Sequence, residues 1–77
     1  MPHVIVKLRP GESDAEKRDL SDAIVGTVTR VLNYDEEAVP VGFEEVAPSE
    51  SAARVYEPDV REKWGTLLKR PASKPAD

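Results

Sequence analysis

Hydrophobic and polar residues alternate almost from the first position of the chain. Val4, Val6 and Leu8 take every second place, with His3, Ile5 and Lys7 between them. This period of two predicts a β-strand, and Ile5 gives its second face some apolar character. Pro10 and Gly11, both strong turn formers, end it. The period then changes. Ser13 and Glu16 have capping-box spacing, which starts a helix at about Asp14. Leu20, Ala23, Ile24, Thr27, Val28, Val31 and Leu32 follow at helical spacing, while Glu16, Arg18, Asp19, Asp22, Thr29 and Arg30 lie mostly away from them. The pattern is that of one long amphipathic helix laid on a sheet face, with Asn33 as its terminator.

A second alternation runs through "EEAVPVGFEEV", where Val39, Val41 and Phe43 interleave with Pro40, Gly42 and Glu44. Proline and glycine inside it mark an edge or bulged strand. Strand, helix and strand at these lengths make a βαβ unit, which implies parallel strands and a right-handed crossover. Beyond it, Pro48 and Ser49 start a helical stretch through Tyr56, and Pro58 opens a further turn through Trp64. "TLLKR" fits either a short closing strand or the end of that helix, and "PASKPAD" reads as a frayed terminus over about 70–77. The fold class is α+β: a single βαβ unit with a short C-terminal helical segment, in one domain over 1–77. One helix cannot cover both faces and both edges of a two-stranded sheet. The sheet is therefore expected to be completed by oligomerisation, most simply with a two-fold copy.

Composition narrows the chemistry. Seventy-seven residues suffice for one small domain, and 39% hydrophobic against 34% charged gives a modest core under a polar surface. Cysteine is absent and His3 is the single histidine, so disulfides and thiolate metal sites are excluded and a histidine zinc site is disfavoured. A net charge of −4 argues against general nucleic-acid affinity. No apolar run has the length of a bilayer span and no signal-peptide pattern appears, which makes the cytoplasm the expected location and a membrane partner unexpected.

The order of "MPHVIVKL", a turn, "SDAEKRDLSDAIVGTVTRVLN" and then "AVPVGFEEVAP" resembles the 4-oxalocrotonate tautomerase family over nearly the whole chain. The tail "VYEPDV…LLKRP" is similar to the short, dimer-forming branch of that family that acts on phenylpyruvate. The resemblance implies a tautomerase fold, a homodimer (with a hexamer as the alternative), pockets at subunit boundaries and an amino-terminal proline acting as base. Here that proline is Pro2, after loss of Met1. A prolyl amine is ordinarily protonated at neutral pH. Desolvation and neighbouring cations such as Lys7 and Arg9 would lower its pKa into the range of an efficient proton shuttle. The amine carries the proton itself, so no cofactor is implied.

The chain departs from the family pattern at two places. Positions that carry substrate-binding arginines in the best-known members hold Glu12 and Pro40 here, which disfavours a diacid substrate and favours a monoacid enol. Arg9, at the end of the first strand, is the candidate to hold a substrate carboxylate by a two-pronged contact, weighed evenly against a solvated loop-edge arginine. The family's aromatic wall falls at Ala52, leaving Phe43, Tyr56 and Trp64 to supply one, although Phe43 and Trp64 suit a core equally well. His3 adjoins the proposed base and is also a candidate, against the commoner reading of a surface histidine. Glu44 and Glu45 suit either a water-activating carboxylate or a solvated face. The activity implied is enol–keto interconversion of a 2-oxo acid. The alternatives are a hydratase or dehalogenase of unsaturated acids, and a dimeric binding module without activity.

Overall fold

In the computed structural model, which describes residues 1–72, β1 (Val4–Leu8) forms where the two-residue period is strictest. β2 (Val41–Glu45) runs parallel to it and pairs Val4 with Val41, Val6 with Phe43 and Leu8 with Glu45. The Val4 amide donates to the Pro40 carbonyl at 3.1 Å, so the pairing begins one residue ahead of β2. The second strand is shorter than its alternation suggests. Glu36–Ala38 closes into a 3-10 turn, and Val39 donates its amide to Glu36 at 3.2 Å instead of joining a ladder. Pro40, with no amide to give, stands where a strand tolerates it, just before the first paired residue.

The crossover is a single helix, α1 (Asp14–Leu32). Its start is built as the sequence indicates. The Glu16 amide donates to the Ser13 hydroxyl at 3.0 Å, and the Ser13 amide donates to the Glu16 carboxylate at 2.9 Å. Its end is equally local: Asn33 adopts the left-handed conformation at φ 60° and ψ 44°, and its amide donates to Thr29 at 3.0 Å. Asparagine tolerates that conformation better than most side chains, which is why it can stop the helix without glycine.

The buried face of α1 differs from the face its apolar residues mark out. Lys17, Ser21, Ile24, Val25, Val28 and Thr29 are the half-buried positions. Leu20, Val31 and Leu32 remain 45%, 62% and 55% exposed. Two strands about 4.8 Å apart make a sheet narrower than the helix's apolar stripe, so only part of the stripe is covered. An ion pair from Lys17 to Glu45 at 2.9 Å ties the first turns of the helix to the end of β2. On the opposite face of the sheet Ile5 is 54% exposed. Among the described residues Val39 and Val46 are the buried hydrophobic ones.

The chain divides into two compact units, Met1–Glu45 and Val46–Asp77. The second holds a 3-10 turn at Pro48–Glu50, a π-helical segment at Ala52–Arg61 and a 3-10 turn at Trp64–Thr66. Pro58 lies inside the π-helical segment and does not open a new turn as its position suggested. A proline ring clashes with the carbonyl four residues back in an α-helix, and a wider turn relieves that clash. Arg54 pairs with Glu50 at 2.8 Å and Arg61 with Glu57 at 3.2 Å along this stretch. "TLLKR" forms neither a strand nor a helix end: Thr66 closes the last turn, and residues 67–70 are irregular. Of the tail expected to fray, residues 73–77 lie outside the described residues.

The capping box makes a direct stability prediction. Ser13→Ala should lower unfolding stability by about 1 kcal/mol, read as a lower midpoint in urea, because one helix-start amide loses its acceptor. The bond from the Ser13 amide, and after it the one involving the Ser13 hydroxyl, hold Glu16 below its ordinary pKa of 4.5. Since the folded value is the lower one, this contribution is fully present above pH 4.5 and disappears as pH falls through the folded value. Unfolding measured from pH 7 to pH 3 should show wild type losing its advantage over Glu16→Gln in that acid window. A constant difference across the series would contradict the capping assignment.

Candidate active site

Pro2 lies just ahead of β1 and continues its alternation: Pro2 is half-buried, His3 exposed, Val4 half-buried. It therefore shares a side of the strand with Val4, Val6 and Leu8, the side that α1 covers, and His3 falls on the side of Ile5 and Lys7. The Val4–Pro40 hydrogen bond brings the start of β2 to this same end of the sheet. Pro40 is thus at the Pro2 end, where it adds shape and no charge.

Arg9 follows the last residue of β1 and is exposed. Seven residues of extended chain at about 3.3 Å each place it on the order of 20 Å from Pro2. No small oxo acid spans that distance. The cations expected to tune the prolyl amine are likewise out of range in their own chain, since Lys7 and Arg9 both lie farther along the strand than the roughly 8 Å over which exposed charges act. One protomer therefore separates the proposed base from its proposed carboxylate holder.

Phe43 pairs with Val6 in mid-sheet and is half-buried. Trp64 belongs to the second unit, where the Arg70 guanidinium lies 5.1 Å from its ring centroid and the Arg70 Nε donates to the Trp64 carbonyl at 3.2 Å. Glu44 pairs with Lys7 in register, and Glu45 is committed to Lys17.

The Arg9 end of the sheet holds a feature that the sequence pattern did not single out. α1 packs against β2. The space left over β1 is a cleft of about 240 Å3 lined by Val6, Leu8, Leu20 and Phe43, with Glu12, Glu16 and Lys17 among its lining residues. The Lys17 ammonium is held above its ordinary pKa of 10.5, first by the hydrogen bond it donates to the Glu45 carboxylate, then by the charges of Glu45, Asp14 and Glu12. The signal available in the sequence was the apolar excess at Leu8 and Leu20 beside a charged turn. Among the described residues no group of three His, Cys, Asp or Glu side chains could hold a metal ion. No helix there is long and apolar enough to cross a membrane.

Comparison with known proteins gives the family of this parallel βαβ unit. The tautomerase enzyme family model matches residues 2–54, and the chain belongs to that family. It is 41% identical over 71 residues to a probable tautomerase of Xylella fastidiosa, covering 92% of this chain and 87% of that protein. It is also 31% identical over 72 residues to tautomerase PptA of Cronobacter sakazakii, covering 92% of this chain and 95% of the relative. A PptA of Pectobacterium carotovorum is 28% identical over the same shares.

Proposed function

We propose that the protein is a cytoplasmic, cofactor-independent tautomerase that interconverts the enol and keto forms of a 2-oxo acid. The general base and acid is Pro2, freed as a secondary amine by removal of Met1. The observation that carries this reading is Pro2 itself: the family match opens there, and it is half-buried at the head of β1. In the ketonising direction the prolyl nitrogen takes the enol hydroxyl proton. The electrons of the O–H bond form the carbonyl, those of the carbon–carbon double bond take up a proton from the prolyl ammonium, and the amine is regenerated. Arg9 holds the substrate carboxylate through charge-assisted hydrogen bonds. The active form is one tautomerase domain per chain, assembled as a homodimer.

The assembly follows from the separation of Pro2 and Arg9. A two-fold axis across the strands turns one chain end for end, so the Pro2 end of one protomer meets the Arg9 end of the other. The same contact would cover apolar surface that one helix leaves bare. Each site then takes its base from one chain and its carboxylate holder from the next.

Blocking the proline tests the base. An amide nitrogen is delocalised into its carbonyl and cannot take the proton. Protein with a residue retained ahead of Pro2 should lose at least about 100-fold in enol ketonisation while its circular dichroism is unchanged. Mass spectrometry defines each terminus, and equal rates from both forms would end the proline assignment. Arg9→Ala should raise KM about tenfold or more, the effect of losing one charged contact of roughly 1.5–3 kcal/mol. Mixing tests the shared site. Blocked chains and Arg9→Ala chains, combined at random and assayed well below KM, should recover about one quarter of wild-type activity, because half the dimers are mixed and each has one intact site. No recovery would place both groups in one chain.

A further inference from the structure

Arg9 stands at the head of a short turn whose two ends are both tied down. Upstream, Leu8 is fixed by its pairing with Glu45, the last residue of β2. Downstream, Ser13 is fixed by the capping box, and its carbonyl accepts from the Lys17 amide at 3.0 Å. Between these anchors residues 9–12 are exposed, and Gly11 takes φ 120°, a conformation open to glycine and to few other residues. The middle of the turn is therefore its softest point. The Lys17–Glu45 ion pair closes the ring: the ammonium donates to the carboxylate at 2.9 Å and joins the strand partner of Leu8 to the helical turn that Ser13 starts. The Lys17 side chain is only 21% exposed, so salt screens this contact less than it screens an open surface pair. Glu12 and Asp14 act on Lys17 through their charges. Without Glu45 the ammonium would be drawn toward them, and so toward the turn itself.

We propose that Lys17 and Glu45 are positioning residues for Arg9: their ion pair holds the turn closed on the sheet, so that the guanidinium is pre-set for a substrate carboxylate. Neither touches the substrate; they cut the ordering that binding would otherwise require. The proposal rests on the reading of Arg9 as the carboxylate holder, and it is tested by binding alone. Trimethylpyruvate is a suitable probe, a 2-oxo acid with no hydrogen beside its carbonyl and so unable to enolise. Titrated into the assembled protein, it should bind about two- to fivefold more weakly to Lys17→Met and to Glu45→Met, the range of one partly exposed ion pair. Lys17→Arg, which keeps the pair, should retain wild-type affinity. A direct effect of charge on the anion would have opposite signs in the two methionine variants, because one loses a cation and the other a carboxylate. Placed in an Arg9→Ala background, either methionine substitution should cost no further affinity, since the group it positions is gone. Opposite signs, no loss in the single variants, or a loss that persists without Arg9 would overturn the positioning role. If Arg9→Ala itself binds the probe as wild type does, the carboxylate-holder reading fails and the proposal with it; a loss in Arg9→Ala with none in the methionine variants overturns the proposal alone.

Discussion

The parallel pairing of β1 with β2 is the constraint from which the rest of the Met1–Glu45 unit follows. Parallel strands cannot be joined by a tight hairpin, so the chain must cross over the sheet between them, and α1 is that crossing. A helix laid on two strands covers one face. Ile5 on the opposite face and part of the helix's own apolar stripe, including Val31 and Leu32, stay exposed. The same pairing fixes which residues are neighbours. It sets the start of β2 beside the start of β1, with Pro40 and Pro2 at one end, and it sends Arg9 to the other.

Chemistry is distributed accordingly. The Pro2 end has a strand terminus, the half-buried Pro2 and the neighbouring Pro40. At the Arg9 end stand a cation, an apolar cleft and a surplus of carboxylates. Under the proposed function, neither end alone suffices for turning over an oxo acid, and oligomerisation is thus a requirement of the chemistry as much as of stability.

Local features were legible in the sequence, and spatial ones less so. The period of two, the Ser13–Glu16 spacing and Asn33 are signals that act within a few residues, and β1, α1 and both helix ends appear where those signals put them. The edge of β2 was harder, because Val39 alternates correctly yet gives its amide to a 3-10 turn. The buried side of α1 was misjudged, since hydrophobicity marks what a helix could bury and the width of the sheet decides what it does bury. Pro58 suggests the opening of a further turn because sequence rules describe the α-helical turn, and the segment around it is wider. For the site, Pro2 was visible through the resemblance alone. The cleft was not, because it is lined by residues of β1, β2, α1 and the intervening turn, a tertiary fact without a local pattern.

The central claim is that one chain carries only the two halves of different sites. Specific activity measured over a dilution series, with sedimentation velocity giving the mass at each concentration, addresses it most directly. The account predicts that enol ketonisation per chain is constant while the dimer persists and falls in proportion as the dimer dissociates, with the monomer inactive. A monomer, identified by its mass, that ketonises the enol at the full per-chain rate would contradict it.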